Sequence, residues 1–296
     1  MFTLPKTRFH FSGDEFIVAE ISREMNAESN FKALAITNEV RNRNIPGVIE
    51  VYPANASYLV RYDPDVVSPY DLLDYLKDID ITKSDIGQLN FQSKMIEVPV
   101  WYDDPVSAEF SRRFSDRNPK DAADVTDFEY TMQLNGYRDK ERFIEAHSKY
   151  PHLVTMLGFN PGLTWSYPLG PAKEEVIHAL KYASPRTDTP KGALGIGGVF
   201  SVIYPLSSPG SYQLIGASAV PVYDQKQQLS DFKSSIILVR PGDLWKFKSV
   251  DEKEFVAIKK QVEEKSYRYK VKEVAFSAED YVRSGRSYIE NMMEGF

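Results

Sequence analysis

The stretch that decides the reading of this chain runs from Gly158 to Gly216. It contains Gly158-Phe159-Asn160-Pro161-Gly162, Pro185-Arg186-Thr187-Asp188-Thr189-Pro190-Lys191 and Gly195-Ile196-Gly197-Gly198-Val199-Phe200. Ile203-Tyr204-Pro205 and Ser208-Pro209-Gly210-Ser211-Tyr212-Gln213-Leu214-Ile215-Gly216 follow. Glycine supplies positive φ and close backbone approach, and proline fixes φ and removes a donor. At this density, between short apolar runs, they specify turns and strands rather than helix. Strands are expected at Val154–Phe159, Gly192–Ile196, Phe200–Ile203, Tyr212–Ala217 and Ile236–Leu238, a pattern of short strands that points to a barrel or sandwich.

Upstream, from Thr7 to about Val100, strand and helix patterns alternate. Phe9–Ile17 holds a turn at Ser12-Gly13-Asp14, and Phe31, Leu34, Ala35 and Val40 fall at helical spacing. Val48–Tyr52 and Ser57–Tyr62 read as hairpin strands, Ser68-Pro69 opens a helix carrying Leu72, Leu73 and Leu76, and Met95–Trp101 closes the series. The order is β-α-β-β-α-β, that of a ferredoxin-like domain. Helices near Pro105–Asp116, Asp124–Leu134 and Asp139–Ser148 read as a charged insertion on the surface. Glu252–Glu264 has helical spacing, Tyr267–Val274 alternates as a strand, and a final helix follows Ser277. The fold class is therefore α+β. An N-terminal domain is expected over residues 1–100, a barrel or sandwich with a helical insertion over 101–250, and an extension over 251–296.

The bulk composition narrows the function. The chain has 296 residues, 42% hydrophobic and 26% charged, ordinary values for a globular protein. Its net charge of −6 argues against nucleic-acid binding, which rests on a basic surface. No long apolar run spans a membrane, and Met1–His10 lacks the apolar core of a signal peptide, so a cytoplasmic location is expected. With no cysteine, disulfides, thiol nucleophiles and Cys-ligated metals are excluded. The four histidines, His10, His147, His152 and His178, lack ligand spacing, so no metal is expected. His147 reads as a helix-terminal residue whose imidazolium the helix end favours. No Gly-x-Ser-x-Gly elbow or nucleotide loop occurs, and Asp103-Asp104 reads as a solvated pair. What remains is Asn160, Arg186, Lys191, Tyr204, Ser208, Tyr212 and Gln213. Beside them Gly158, Pro161, Gly162, Gly197, Gly198, Pro209, Gly210 and Gly216 shape the backbone. These neutral groups and two cations suit a small planar polar ligand or a carboxylate, and equally a structural network of turns.

At these residues the sequence resembles a known family. Its members include the smaller, B-type component of prokaryotic 5-oxoprolinase, the histidine-kinase inhibitor KipI and allophanate hydrolase subunit 1. The same module lies in the carboxyltransferase domain of biotin-dependent urea carboxylase. The likeness covers nearly the whole chain. It is carried by Arg8-Phe9-His10, Tyr58-Leu59-Val60-Arg61-Tyr62-Asp63-Pro64, Ala146-His147-Ser148, Arg240-Pro241-Gly242-Asp243 and the motifs quoted above. Phe200, Ile203-Tyr204 and Tyr212-Gln213-Leu214 lean toward the urea carboxylase branch, as does the end of the chain. Ser211 and Ala217 depart from it, where a glycine and an arginine are usual.

The resemblance implies an N-terminal α+β domain followed by a cyclophilin-like barrel. It also implies half of a functional unit, inactive alone, completed by a homologous larger subunit, the C-type component of 5-oxoprolinase or allophanate hydrolase subunit 2. It implies no cofactor on this chain: no Ala-Met-Lys-Met site exists, Lys94-Met95 being the nearest match. Carboxybiotin and ATP would be handled by a biotinyl carrier and a biotin carboxylase. The expected function is carboxyl transfer to a small urea-like amide, with Arg186, Tyr204 and Gln213 positioning the acceptor. The alternatives are ATP-dependent opening of 5-oxoproline and kinase inhibition without catalysis.

Overall fold

Short strands, glycine turns and helices resolve into two compact units. One runs to Ser93 and takes up Val274–Tyr288; the other comprises Lys94–Glu273 and Ile289–Phe296. The segment expected as a separate extension is thus divided between them. The computed structural model describes residues 6–83, 89–118 and 125–296, so residues 1–5 and Asp124, the expected start of a helix, lie outside the described residues.

In the first unit the elements are β1 (Arg8–Phe11), β2 (Phe16–Glu20), α1 (Ala27–Arg43), β3 (Val48–Pro53), β4 (Ser57–Tyr62) and α2 (Pro69–Thr82). Strict alternation puts Ile17, Ala19, Tyr58, Val60 and Tyr62 on one face, against Ala33, Ile36 and Val40 of α1 and Leu72, Leu76 and Ile79 of α2. Asn26 and Ser68 cap the two helices by accepting from backbone N–H groups, and Asn44 ends α1 in the left-handed region. Beneath the helices Lys32 is 1% exposed and donates to Asp80 at 2.9 Å and to Thr7 at 3.1 Å, so its buried charge is paired. The antiparallel sheet runs β1-β2-β4-β3. Its edge position beside β2 is held by β1, and the strand expected to close a ferredoxin-like sheet, Met95–Trp101, belongs instead to the barrel. The reason is its composition. Ile96, Val98 and Val100 are all buried, and the strand is bonded on both edges, an environment that the half-covered N-terminal sheet does not offer.

That strand is the end of β5 (Asn90–Tyr102). The chain continues through α3 (Pro105–Arg113), α4 (Asp127–Leu134), α5 (Lys140–Ser148), β6 (His152–Leu157), β7 (Thr164–Pro168), β8 (Ala193–Gly197), β9 (Phe200–Ile203), β10 (Gln213–Ser218) and β11 (Leu244–Ser249). It ends with α6 (Glu252–Glu263), β12 (Val271–Ser277), α7 (Ala278–Ser284) and α8 (Arg286–Met293). The strands follow the order β10-β8-β9-β7-β6-β11-β5, and β5 pairs back with β10, closing a seven-strand barrel; β12 adds to the outer edge of β5. Closure removes the exposed edges that an open sheet of this size would carry. Two of these strands, β7 and β11, are absent from the sequence reading, and Ile236–Leu238 is no strand, contributing one isolated bridge from Ile237 to Tyr223.

The helices before β6 are not a surface insertion. Phe128 of α4 and Phe143 of α5 are buried in the core cluster with Val98, Tyr102, Ile196 and Ile215. Nor is the Asp103-Asp104 pair solvated. Asp104 is buried and caps α3, accepting from Val106 and Ser107, while Asp103 pairs with Lys140 at 2.8 Å.

Closure passes through Gly216, which lies opposite Tyr102 on β5. A Cβ there would stand 2.6 Å from the Trp101 carbonyl oxygen and 2.9 Å from the Tyr102 Cα, backbone atoms that cannot yield locally. Gly216→Ala is therefore expected to cost about 1–3 kcal/mol, as overpacking does. Urea denaturation checks this, and a stability equal to wild type would contradict it.

Candidate functional site

Asp127 organises the centre of the second unit. Thr126 and Glu129 form a reciprocal capping box that starts α4, which puts Asp127 at the first helical position, pointing inward and fully buried. One carboxylate oxygen accepts from the Ser111 hydroxyl at 2.7 Å, Asn118 Nδ2 at 3.1 Å and the Tyr182 hydroxyl at 2.7 Å. The other accepts from the Leu214 backbone N–H at 2.9 Å and lies 3.6 Å from the Arg186 Nη1. Burial and the neighbouring carboxylate hold the Tyr182 phenol above its usual range, so it remains a donor.

Arg186, expected as a donor fork toward a ligand, has 0% exposure. Its backbone pairs with Gly210, its Nε donates to Thr189 Oγ1 at 3.3 Å, and its guanidinium carbon sits 4.5 Å from the Tyr182 ring centroid. Both terminal nitrogens, Nη1 and Nη2, have no hydrogen-bond partner. Gln213 is also fully buried and exchanges hydrogen bonds with Asn118, donating in addition to the Leu180 carbonyl at 2.8 Å. Tyr204 is buried beside them. Burial raises its phenol, and the Arg186 charge works in the opposite direction. Gly210 is required here because a Cβ would fall on the Tyr204 hydroxyl.

The remaining candidates gather around this core unevenly. Asn160 is half-buried in a tight turn with its Nδ2 unpartnered, and Ser208 has a buried, unpartnered hydroxyl although its backbone N–H reaches Thr189 at 3.3 Å. Gly162 has φ +80° and packs near Pro205 and Tyr223, which brings the 158–162 turn to the 205–210 segment. Phe159, with φ +66°, is 68% exposed, and Pro161 and Pro209 are exposed at the bends. Tyr212 lies against Gly195 and Gly197 and accepts from the Trp165 indole at 2.7 Å. Gly158 abuts that indole, and Gly198 turns the chain at φ +58°. Lys191 is exposed and makes no ion pair among the described residues; its charge instead depresses Lys259, where burial is the larger cause.

His147 belongs to a separate group. It is 4% exposed, with Nδ1 2.8 Å from the Tyr102 hydroxyl, Nε2 2.9 Å from Ser201 Oγ, and its ring stacked on Phe247. Burial, reinforced by His152 and Lys246, pushes its pKa well down, so the imidazolium expected at the helix end is disfavoured. Burial outweighs the helix-end charge. Among the described residues no three His, Asp or Glu side chains are grouped to hold a metal ion. None of their helices is long and apolar enough to cross a membrane.

A family model for the carboxyltransferase domain, subdomain C and D, matches residues 7–232. The chain belongs to this carboxyltransferase-domain family. Among its relatives, the B-type 5-oxoprolinase component of Bacillus subtilis is 27% identical over 84% of this chain and 95% of its own length. Urea amidolyase of Lachancea kluyveri is 25% identical over 98% of this chain, which spans only 16% of that much longer protein. The crystal structure of Kluyveromyces lactis urea carboxylase has the same fold over 97% of this chain and 26% of its own, with a TM-score of 0.84 at 22% identity. Relatives of this carboxyltransferase-domain chain thus occur both as a named subunit and as a part of a larger polypeptide.

Sequence reasoning missed Asp127, Asn118, Tyr182, Trp165 and Ser201. The Thr126-x-x-Glu129 capping signature was available for the first of these, and it fixes where α4 begins.

Two outcomes test this carboxyltransferase-domain site. Asp127→Asn leaves the Arg186 charge buried without a counter-ion and is expected to cost roughly 3–5 kcal/mol. Adding Arg186→Met should relieve much of that loss, giving a coupling above about 1 kcal/mol in urea denaturation, whereas additive costs would refute the pairing. The second concerns pH. His152, driven down to about 4 chiefly by burial, and His147 bind protons more weakly when folded than when unfolded. Their effect on stability is therefore nil above about pH 6.5 and grows as pH falls toward 4, because the unfolded chain takes up the protons. The stability difference between wild type and His152→Asn should change across this window by up to about 3 kcal/mol and stay constant above it.

Proposed function

We propose that this chain is one component of a biotin-dependent carboxyltransferase acting on a small urea-like amide, together with a homologous larger partner. The observation that carries this reading is an excess of hydrogen-bond donors. Arg186 Nη1 and Nη2, Asn160 Nδ2 and the Ser208 hydroxyl are buried without a hydrogen-bond partner, and the Asp127 carboxylate that pairs with Arg186 already accepts from four donors. A buried donor lacking an acceptor carries a cost of about 1–3 kcal/mol, which a ligand rich in oxygen acceptors removes.

Carboxylate and ureido oxygens are such acceptors, so the donor set fits carboxybiotin as well as an amide substrate. When bound, carboxybiotin supplies the carboxyl group. The residues of this chain would then orient the two reactants and stabilise negative charge on oxygen through Asn160, Ser208, Tyr204 and Arg186. Arg186 is closed off from solvent here, so it would reach such an oxygen only after a local rearrangement. The match to urea carboxylase over nearly the whole chain, including the segment after residue 250, supports the urea-type substrate. A second reading, ATP-dependent 5-oxoproline hydrolysis, is favoured by the relative of similar length, the B-type 5-oxoprolinase component. The same donor set suits the lactam oxygen.

Reconstitution with the larger partner, a biotin carboxylase and a biotinyl carrier separates the two. Carboxylation of urea or guanidine is expected, and kcat/KM should fall about tenfold in Asn160→Ala, as one lost hydrogen bond predicts. Consumption of 5-oxoproline with no carboxylation of either amide would replace the first reading with the second.

A further inference from the structure

The Tyr212 side chain is held with unusual definition. A Cβ at Gly197 would come within 2.5 to 2.7 Å of its ring atoms and one at Gly195 within 3.0 Å of its Cβ, so the ring lies directly on the backbone of β8. Lys181 Nζ stands 5.4 Å from the ring centroid. At the far end of the ring the hydroxyl meets Trp165 Nε1 at 2.7 Å. An indole N–H donates and never accepts. The Tyr212 oxygen is therefore the acceptor, and its own hydrogen must point elsewhere. Among the described residues no acceptor takes it. The proton stays on the oxygen at neutral pH, because burial pushes the phenol up to about 12 against the lowering effect of the Trp165 hydrogen bond.

We propose that Trp165 is a positioning residue that makes the Tyr212 hydroxyl a dedicated donor to an oxygen atom of the ligand. This rests on the carboxyl and amide chemistry proposed above. A free phenol can rotate and either donate or accept; one lone pair engaged by the indole removes that choice. The Trp165 ring is itself only partly buried, seated against Gly158 and in a cluster with Leu163, Val202, Leu214 and Phe200. The oriented O–H is thus set among apolar groups, where a hydrogen bond to developing negative charge gains strength and water competes poorly. The ligand group that fits is a carbonyl or carboxylate oxygen, and an N–H at this point would face a donor.

The test uses Trp165→Phe and Tyr212→Phe in the reconstituted assembly, with urea as the probe. Both variants keep an aromatic ring, and unfolding midpoints close to wild type would show that packing survives. Tyr212→Phe is expected to raise the urea KM or lower kcat by about tenfold in total, and Trp165→Phe by less. The double variant should be no worse than Tyr212→Phe alone, because Trp165 acts through Tyr212. Multiplicative losses, or a Trp165→Phe enzyme equal to wild type, would overturn the proposal.

A second readout does not depend on turnover. The tyrosine ring doublet in the Raman difference between wild type and Tyr212→Phe reports whether the hydroxyl accepts or donates. Acceptor character in the free chain, lost in Trp165→Phe together with an upward shift of the phenol titration, is the expected result. Donor character in the free chain would refute the proposal whatever the substrate. Absence of urea turnover with acceptor character intact would refute only the substrate reading.

Discussion

The buried pair of Asp127 and Arg186 is the constraint on which the second unit depends. Neither charge has access to solvent, so each stays in the fold only while the other, and the hydrogen bonds around them, remain in place. Through that requirement four separate parts of the chain are tied together: Ser111 at α3, Asn118 in the connection after it, Tyr182 and Arg186 in the long segment before β8, and the backbone of Leu214 in β10. A barrel strand, two helices and the Pro185–Lys191 turn thus share one carboxylate. The arrangement is rigid on the acceptor side and incomplete on the donor side, because the terminal nitrogens of Arg186 lack hydrogen-bond partners.

That imbalance links structure to chemistry. A purely structural network would be expected to satisfy its donors, since each buried one left alone weakens the fold. Here the unsatisfied groups belong to Asn160, Arg186 and Ser208, on segments where Gly162 packs against Pro205 and Gly210, bridged to the Arg186 backbone, lies against Tyr204. Glycine at these points acts by absence: it lets side chains with polar ends lie on bare backbone. The tyrosines carry the same logic further, each phenol kept protonated by burial.

How far the fold could be read depended on whether the deciding signal was local. The alternation of Ser57–Tyr62, the Ser68-Pro69 helix start and the spacing of α6 were legible because periodicity and capping act within a few residues. Leu244–Ser249 was not, since its partners β5 and β6 are distant in sequence. Thr164–Pro168 pairs with the neighbouring β6 but alternates against the usual sense, with Thr164 and Ser166 buried and Trp165 and Tyr167 only partly so. The destination of β5 was equally hidden. Its sequence says strand, but its neighbours, β10, β11 and β12, are all more than a hundred residues away. For the site, Arg186, Gln213, Tyr204 and Tyr212 stood out by their glycine-rich surroundings, whereas Asp127 sat in a charged helical stretch that looks like any solvated surface. His147 went astray for a related reason: a helix end favours its cation, but burial among Phe247, His152 and Tyr102 is the larger effect.

By itself, then, the sequence determined the α+β class, a turn-rich stretch of short strands and the positions where only glycine or proline fits, because φ preferences and side-chain period are properties of neighbouring residues. It also carried the ordered motifs of the carboxyltransferase-domain family. Only the tertiary structure decided which strand closes the barrel and which polar side chains are buried. The same is true of whether each such side chain finds a partner. These depend on desolvation and on contacts between residues far apart in the chain, and it is there that Arg186 changes from an exposed fork into a buried cation and Asp127 from a surface acid into its counter-ion.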